Sequence, residues 1–487
     1  MEARESKENS YRSILKGTSL FGGVQVFQVL VNLVRGKFVA MFLGPEGMGI
    51  SSLLSSSAYT ITQFSQVGLN LAFTKEVAEH RDDRARLAMI RKVASRMVMV
   101  TALLGALFTI VFAPWLSRIT FGSEEYAWQY VGLSVMVWLT VEGGGKAALL
   151  QGLHKVKIIS MASVIAAIVG LAVGVPLYYY FGAKGIVPAL IALQLSTYIF
   201  FSWGVRKVVP RSREKSRWSE MRPMARRLLG LGIVLMLTQL LTTASIYLLN
   251  TFIRMAGDME SVGLYSAANS LTNQYAGVVF TAMAMDYFPR LSAVGDDREN
   301  FNGVVNRQVV IVSLMAAPIV ILIMGTAPVI IRLLLTDKFM EITPLMRWMG
   351  FGVLLKALAF PLGYITFAKN NRKTFLWLEG VACNVLYLGL GIPFYYCFGL
   401  IGLGYSMVLE YAGCIFLYYI VNRRLYGFRY NATAMRNMLA AVLLAAGCFA
   451  ASYIPDLNYS IACMALTLVW SATFSFCKLK KLIKKKD

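Results

Sequence analysis

Five cations stand inside otherwise apolar stretches of this sequence: Arg35, Lys37, Lys146, Arg254 and Lys356. Four carboxylates do the same, with Glu142, Glu379 and Glu410 inside such stretches and Asp286 close to the end of one. Ionisable groups are costly in hydrocarbon, so they face a polar cavity or a partner and mark substrate or ion paths. The cations suit phosphate, because a guanidinium forks onto two oxygens and a lysine ammonium acts as a compact point charge. A buried carboxylate exchanges a proton or holds a sodium ion, which is coupling chemistry.

Each residue also has a plainer reading. Lys146 follows Glu142 by four residues, so the two neutralise each other along one helix face. Arg35, Lys37 and Arg254 lie toward one membrane surface, within reach of head groups by snorkelling. Asp286 has Arg290 four residues on, and Glu410 is placed to pair with Lys356. Lys356 has no acidic neighbour within a helical turn and too little reach from mid-depth, which makes it the leading candidate for a functional cation. No catalytic constellation accompanies these residues. His80 and His154 fall at helix ends, and Cys383, Cys397, Cys414, Cys448, Cys463 and Cys477 lie in apolar runs without metal-ligand spacing. No Walker-type glycine-rich loop is present, so neither a cofactor nor a metal is expected.

The elements that hold these residues follow from composition. Of 487 residues, 57% are apolar, and the 40 glycines raise that to about two-thirds, well above a soluble domain. Apolar stretches fall near 14–43, 47–74, 93–117, 129–153, 157–181, 185–205, 228–255, 262–288, 304–335, 343–368, 374–398, 400–422, 434–455 and 457–477. Each can supply the roughly 20 residues that cross a bilayer. The expectation is an all-α polytopic membrane protein of about fourteen spans.

Charge orients it. There are 48 Lys+Arg against 25 Asp+Glu, a net +23. Of the 48, 38 fall at the termini and in alternate loops, while the remaining loops hold only Arg118, Lys184, Arg332, Lys338 and Arg347. By the positive-inside rule both termini are cytoplasmic. The basic clusters flank helices and lack interleaved aromatics, which removes nucleic acid as a partner. Outer loops are short, which argues against a polymerase or glycosyltransferase with an external catalytic domain.

The longest cytoplasmic connection, residues 206–227, joins two halves. Gly174-Val175-Pro176-Leu177-Tyr178-Tyr179-Tyr180-Phe181-Gly182 returns as Gly391-Ile392-Pro393-Phe394-Tyr395-Tyr396-Cys397-Phe398-Gly399, an offset of 217 that Gly185 and Gly402 continue. Glu46-Gly47-Met48-Gly49-Ile50 matches Glu260-Ser261-Val262-Gly263-Leu264 at an offset of 214. Two parallel six-helix lobes, 1–205 and 228–425, are expected, with an additional helix pair and basic tail at 426–487. Such repeats imply a cavity between lobes that opens to either side, the architecture of transporters. Gly143-Gly144-Gly145 beside Glu142 permits either a bend or close helix packing.

Gly36-Lys37-Phe38-Val39-Ala40-Met41-Phe42-Leu43-Gly44-Pro45-Glu46-Gly47-Met48-Gly49, with Gln66-Val67-Gly68-Leu69-Asn70 and Lys75-Glu76-Val77-Ala78-Glu79 after it, resembles the opening of polysaccharide transporters of the Wzx O-antigen translocase type. Tyr287-Phe288-Pro289-Arg290-Leu291-Ser292 is similar to an ending shared with lipid II flippases of the same superfamily, the multidrug/oligosaccharidyl-lipid/polysaccharide exporters. In layout the resemblance covers roughly the first 425 residues. It implies an inner-membrane flippase, not an enzyme, that moves undecaprenyl-diphosphate-linked oligosaccharide to the periplasmic leaflet. An H+ or Na+ gradient would drive it, and a glycan polymerase and chain-length regulator would be its partners. The site then reads as Lys356, Arg254, Arg35, Lys37 and Lys146 for the diphosphate and glycan, with Glu410, Glu142, Glu379 and Asp286 for coupling or gating. The competing readings are a lipid II flippase, a drug or cation antiporter with an acidic cavity, and a non-transporting scaffold for glycan assembly.

Overall fold

The computed structural model describes residues 2–81, 83–209, 218–294, 298–369 and 371–484. Of the helical stretches 2–22, 25–26, 218–235, 274–276, 278–286, 288–289, 292–293, 457 and 481–484 it describes the backbone alone. Every regular element among them is helical. Among the described residues eleven stretches are long and apolar enough to cross a membrane, so the chain is a multi-pass membrane protein. Two of the eleven, Phe27–Gln66 and Val156–Val208, run for 40 and 53 residues, enough for two crossings each at 1.5 Å per residue.

Packing divides the chain into Met1–Met259 and Glu260–Asp487. The first unit comprises α1 (Glu2–Gln66), α2 (Leu69–Glu79), α3 (Arg84–Val111), α4 (Ala113–Phe121), α5 (Ala127–Gly152), α6 (Val156–Phe181), α7 (Ile186–Val208) and α8 (Trp218–Ala256). α1 is two rods, because Gly44 leaves helical geometry at φ 66°, ψ −169° and Pro45 starts the second rod. α5 packs on α2, α3 and α7, and α1 packs on α6 and α8. The glycine run in α5 serves close approach. A Cβ at Gly144 would lie 2.7 Å from Asn70 Nδ2, and one at Gly145 would lie 2.7 Å from Val98 Cγ2.

The second unit comprises α9 (Met259–Ala293), α10 (Arg298–Gly325), α11 (Ala327–Leu334), α12 (Thr343–Ala368), α13 (Arg372–Phe375), α14 (Cys383–Phe398), α15 (Leu400–Tyr426), α16 (Ala432–Ala451) and α17 (Leu457–Lys484). A π-helical segment, Leu376–Ala382, joins α13 to α14. α12 packs on α15 and α10, and both helices of the terminal pair, α16 and α17, pack on α10. A core that includes Tyr287, Phe301, Leu362, Tyr418 and Phe428 ties α9, α10, α12 and α15 together.

The repeat and the packing divide the chain one helix apart. The repeat ends its first half before residue 228, yet α8 lies against α1 and α2 and so belongs to the first packed unit.

The internal repeat extends to backbone geometry. Gly182 takes φ 55°, ψ −134° and Gly399 takes φ 61°, ψ −146°, regions open to glycine. A Cβ at Gly185 would sit 2.3 Å from the Leu177 carbonyl oxygen, and one at Gly402 would sit 2.0 Å from that of Phe394, the equivalent atom. Tyr178 and Tyr395 are both buried, while Tyr179 and Tyr396 are both exposed. Gly185→Ala and Gly402→Ala are each expected to destabilise the protein by about 1–3 kcal/mol, since the obstacle is backbone that must move. Thermal unfolding in detergent should show a lowered transition for both, and an unchanged transition at either position would refute the equivalence.

Candidate functional site

Lys356 lies on α12 beside polar groups from two other helices. Its ammonium donates to Asn273 Oδ1 on α9 at 2.9 Å and stands 5.7 Å from the centre of the Tyr411 ring on α15. Glu410, one residue before Tyr411, is buried and lies within electrostatic reach of Lys356. The structure therefore brings together the expected cation and carboxylate of the second half. Asn273 also donates to Asn269 Oδ1 at 2.7 Å, so the amide that receives Lys356 is itself held one turn back along α9.

Glu379 sits in the π-helical segment and accepts a hydrogen bond from Tyr418 Oη at 2.7 Å. The chain continues from Tyr418 Oη to Cys383 Sγ at 3.1 Å and from Cys383 to Cys414 Sγ at 3.3 Å. Gly363 makes room for the carboxylate, because a Cβ there would lie 2.6 Å from Glu379 Oε1. π-Helical turns are rare and concentrate at functional positions. Asp286 lies on α9, and its side chain is outside the described residues.

In the first unit Lys146 donates to Glu142 Oε2 on the next turn of α5 and lies 4.3 Å from the centre of the Tyr198 ring. Trp138 packs against the same ring at 5.6 Å. Glu142 keeps one oxygen, Oε1, buried and without a hydrogen-bond partner among the described residues. One helix over, Asn70 donates to Gln66 Oε1 at 3.0 Å, with both amides against Gly144. Ion pair and aromatics thus share one face of α5, and the amides lie against Gly144 on the opposite side of that helix.

Arg254 has a different position. Its Nε donates to Thr120 O and its Nη2 to Ile119 O, both at 2.9 Å, so it caps the open carbonyls at the end of α4. Thr120 Oγ1 lies 2.7 Å from both Tyr130 Oη and Tyr247 Oη, which extends the network. Arg35 on α1 is half-buried and within electrostatic reach of Tyr178, and Lys37 is also half-buried. No hydrogen bond joins Arg35 to Arg254 among the described residues.

Sequence reasoning named the charges and missed their neutral partners. Asn273, Tyr411, Tyr418 and Tyr198 come from helices remote in sequence, and a lone amide or phenol in an apolar run carries no signal of its own. The one available hint was spacing, since Gln66/Asn70 and Asn269/Asn273 are both i, i+4 amide pairs.

An all-helical, multi-pass fold with polar clusters inside its spans is the architecture of membrane transporters. The chain belongs to the family described as polysaccharide biosynthesis protein, whose match covers residues 38–344. It is 24% identical over 378 residues to the lipid III flippase of Escherichia coli K12, covering 75% of this chain and 88% of that protein. It is 20% identical over 321 residues to a Shigella flexneri protein provisionally named an O-antigen transporter, covering 64% of this chain and 74% of that one. In fold it is similar to the lipid II flippase MurJ in an inward closed conformation, with a TM-score of 0.74 at 14% identity, covering 95% of this chain and 99% of that one.

The Glu142–Lys146 pair is largely buried, and removing one member strands the other. Glu142→Gln and Lys146→Gln are each expected to cost about 3–5 kcal/mol, with the double variant costing clearly less than their sum. Chemical denaturation in detergent measures the cycle; strictly additive losses would show that the pair is not coupled.

Proposed function

We propose that this protein is a flippase that carries an undecaprenyl-diphosphate-linked oligosaccharide from the cytoplasmic to the periplasmic leaflet of a bacterial inner membrane. A sugar hydroxyl taken into hydrocarbon without a partner costs a few kcal/mol, and a diphosphate far more, so unassisted flipping is negligible. A polar interior that receives the head group while the prenyl tail stays in lipid removes that barrier. The observation that carries the reading is the setting of Lys356, a cation in an apolar span that donates to the Asn273 amide and faces the Tyr411 ring. Cation, amide and aromatic are the groups a phosphorylated sugar requires. The family match and the flippase relatives support the same conclusion.

In this proposal Lys356 holds the diphosphate, with Arg35, Lys37 and Lys146 as further contacts and Arg254 acting through the α4 terminus that it caps. Glu410 and Glu379 carry the coupling ion, H+ or Na+, with Glu142 and Asp286 as gating carboxylates. The proposal has fourteen spans, counting each double stretch as two and adding α9, with both termini on one side, which the distribution of basic residues makes the cytoplasmic one. Two repeats, 1–205 and 228–425, joined by 206–227, alternate access, and 426–487 is an appended pair. Glycan polymerase and chain-length regulator are its proposed partners. An inside-negative potential contributes about 2.3 kcal/mol per charge per 100 mV to outward movement of an anion. A lipid II flippase is the second reading, favoured by the fold likeness to MurJ.

The test is flipping in proteoliposomes with either lipid-linked oligosaccharide or lipid II. Wild type is expected to move the oligosaccharide lipid, and Lys356→Ala to lower the rate at least about tenfold, with partial rescue by Lys356→Arg. Transport of lipid II alone establishes the second reading, export of organic cations a drug antiporter, and movement of neither a scaffold.

A further inference from the structure

A cluster of charges outside the spans lies in the second unit, where the start of α10 meets the end of α15. Arg298, Glu299, Asn302, Arg423, Gly427 and Arg429 line a cavity of about 450 Å³ there, within the size range of small-molecule sites. Three guanidiniums face one carboxylate. Among the described residues no ion pair engages Arg298, Arg423 or Arg429, and all three side chains are exposed.

The cavity is held in shape before any ligand arrives. Arg429 is on the short loop between α15 and α16, and that loop is pinned to α10 by two asparagines. Arg429 N–H donates to Asn302 Oδ1 at 2.8 Å, its carbonyl accepts from Asn306 Nδ2 at 2.9 Å, and Asn431 N–H donates to Asn306 Oδ1 at 2.9 Å. Asn306 is fully buried, so this is an interior anchor for a surface arginine. Gly427 turns the chain at φ 67°, and Arg298 lies next to it: a Cβ there would come within 4.0 Å of Arg298 Cδ and Nη1. Arg423 rests its guanidinium over the Tyr419 ring at 5.9 Å. Beneath the loop, Phe428 is fully buried and Tyr430 stacks on Tyr419 at 5.3 Å. Preorganised arginines with no carboxylate partner among the described residues suit an anion with several oxygens, which a planar fork engages two at a time.

Location narrows the anion. α10 and α15 are both long and apolar enough to cross a membrane, and the cavity lies where one begins and the other ends, which is where head groups would meet it. By the distribution of basic loops this is the cytoplasmic face, where anionic lipids present phosphates and basic pockets between helices bind them. We propose that the Arg298–Arg423–Arg429 cavity binds a phosphate group, presented by an anionic phospholipid head group of the cytoplasmic leaflet. The site lies wholly within the second unit and involves none of the residues assigned to the transported glycan lipid.

The test is native mass spectrometry of the purified full chain in detergent, titrated with phosphatidylglycerol, phosphatidylcholine or inorganic phosphate. Phosphatidylglycerol is expected to bind, and Arg429→Gln or Arg423→Gln to weaken it about tenfold each. Glu299→Gln, which removes the cavity's negative charge, should tighten binding about threefold, a gain that misfolding cannot produce. Tight binding of inorganic phosphate, abolished by the same arginine variants, would keep the phosphate chemistry and assign it to the free ion. Binding of phosphatidylcholine equal to that of phosphatidylglycerol, or phosphatidylglycerol binding insensitive to all three variants, would overturn the proposal. Glycan-lipid flipping does not enter this readout, so its outcome is separable from that of the transport assay.

Discussion

A charge inside hydrocarbon must have a partner, and much of this protein's interior is organised around that requirement. Lys356 has the Asn273 amide and the nearby Glu410, Lys146 has Glu142 and the Tyr198 ring, and Glu379 has the Tyr418 hydroxyl. In each case helices distant in sequence converge on the charged group, so the same contacts that satisfy it also fix the packing. The first unit binds Lys146 between α5 and α7, and the second binds Lys356 among α9, α12 and α15. These clusters are a poor way to gain stability, because taking charges out of water costs more than apolar packing would. On our proposal, their presence in spans is explained by a polar ligand received there.

Arginine has a second use, at helix ends. Arg254 donates to the last carbonyls of α4, Arg347 to Ser452 O after α16, and Arg91 to Val209 O after α7. Helix C-termini leave carbonyls without intrahelical partners, and a cation near them satisfies both the hydrogen bond and the dipole. Arg347 in this way joins the terminal helix pair to α12, which supports the packing of α16 and α17 on α10. Positive charge in this chain therefore caps helix ends and, on our reading, orients the spans and receives anions.

The fold was legible where the information is local and repeated. Apolar runs marked the helices, and the Gly-x-Pro-x-Tyr motif at an offset of 217 marked the duplication, because glycines at φ 55° and 61° and at carbonyl contacts admit no larger residue. The i, i+4 spacing of Glu142 and Lys146 likewise anticipated their pairing. Sequence could not reveal the pairing of Lys356 with Asn273, since 83 residues separate them and the i, i+4 spacing of Asn269 and Asn273 does not point to α12. It also missed the use of Arg254 as a cap, which depends on where α4 ends, and the break between α13 and α14, where a π-helical turn rather than proline re-aims Glu379. The arginines of the cavity between α10 and α15 entered the sequence reading for orientation alone; only the asparagine-pinned loop after α15 brings them together.

The central claim is that Lys356 holds a diphosphate. Its most direct test is equilibrium binding of undecaprenyl diphosphate, without sugar, to purified wild type and to Lys356→Ala matched for thermal stability. Binding that falls at least about tenfold on loss of the ammonium, with undecaprenol itself unaffected by the substitution, is the expected result. Equal affinity of wild type and Lys356→Ala for the diphosphate would contradict it and leave Lys356 a structural cation held by Asn273 and Glu410.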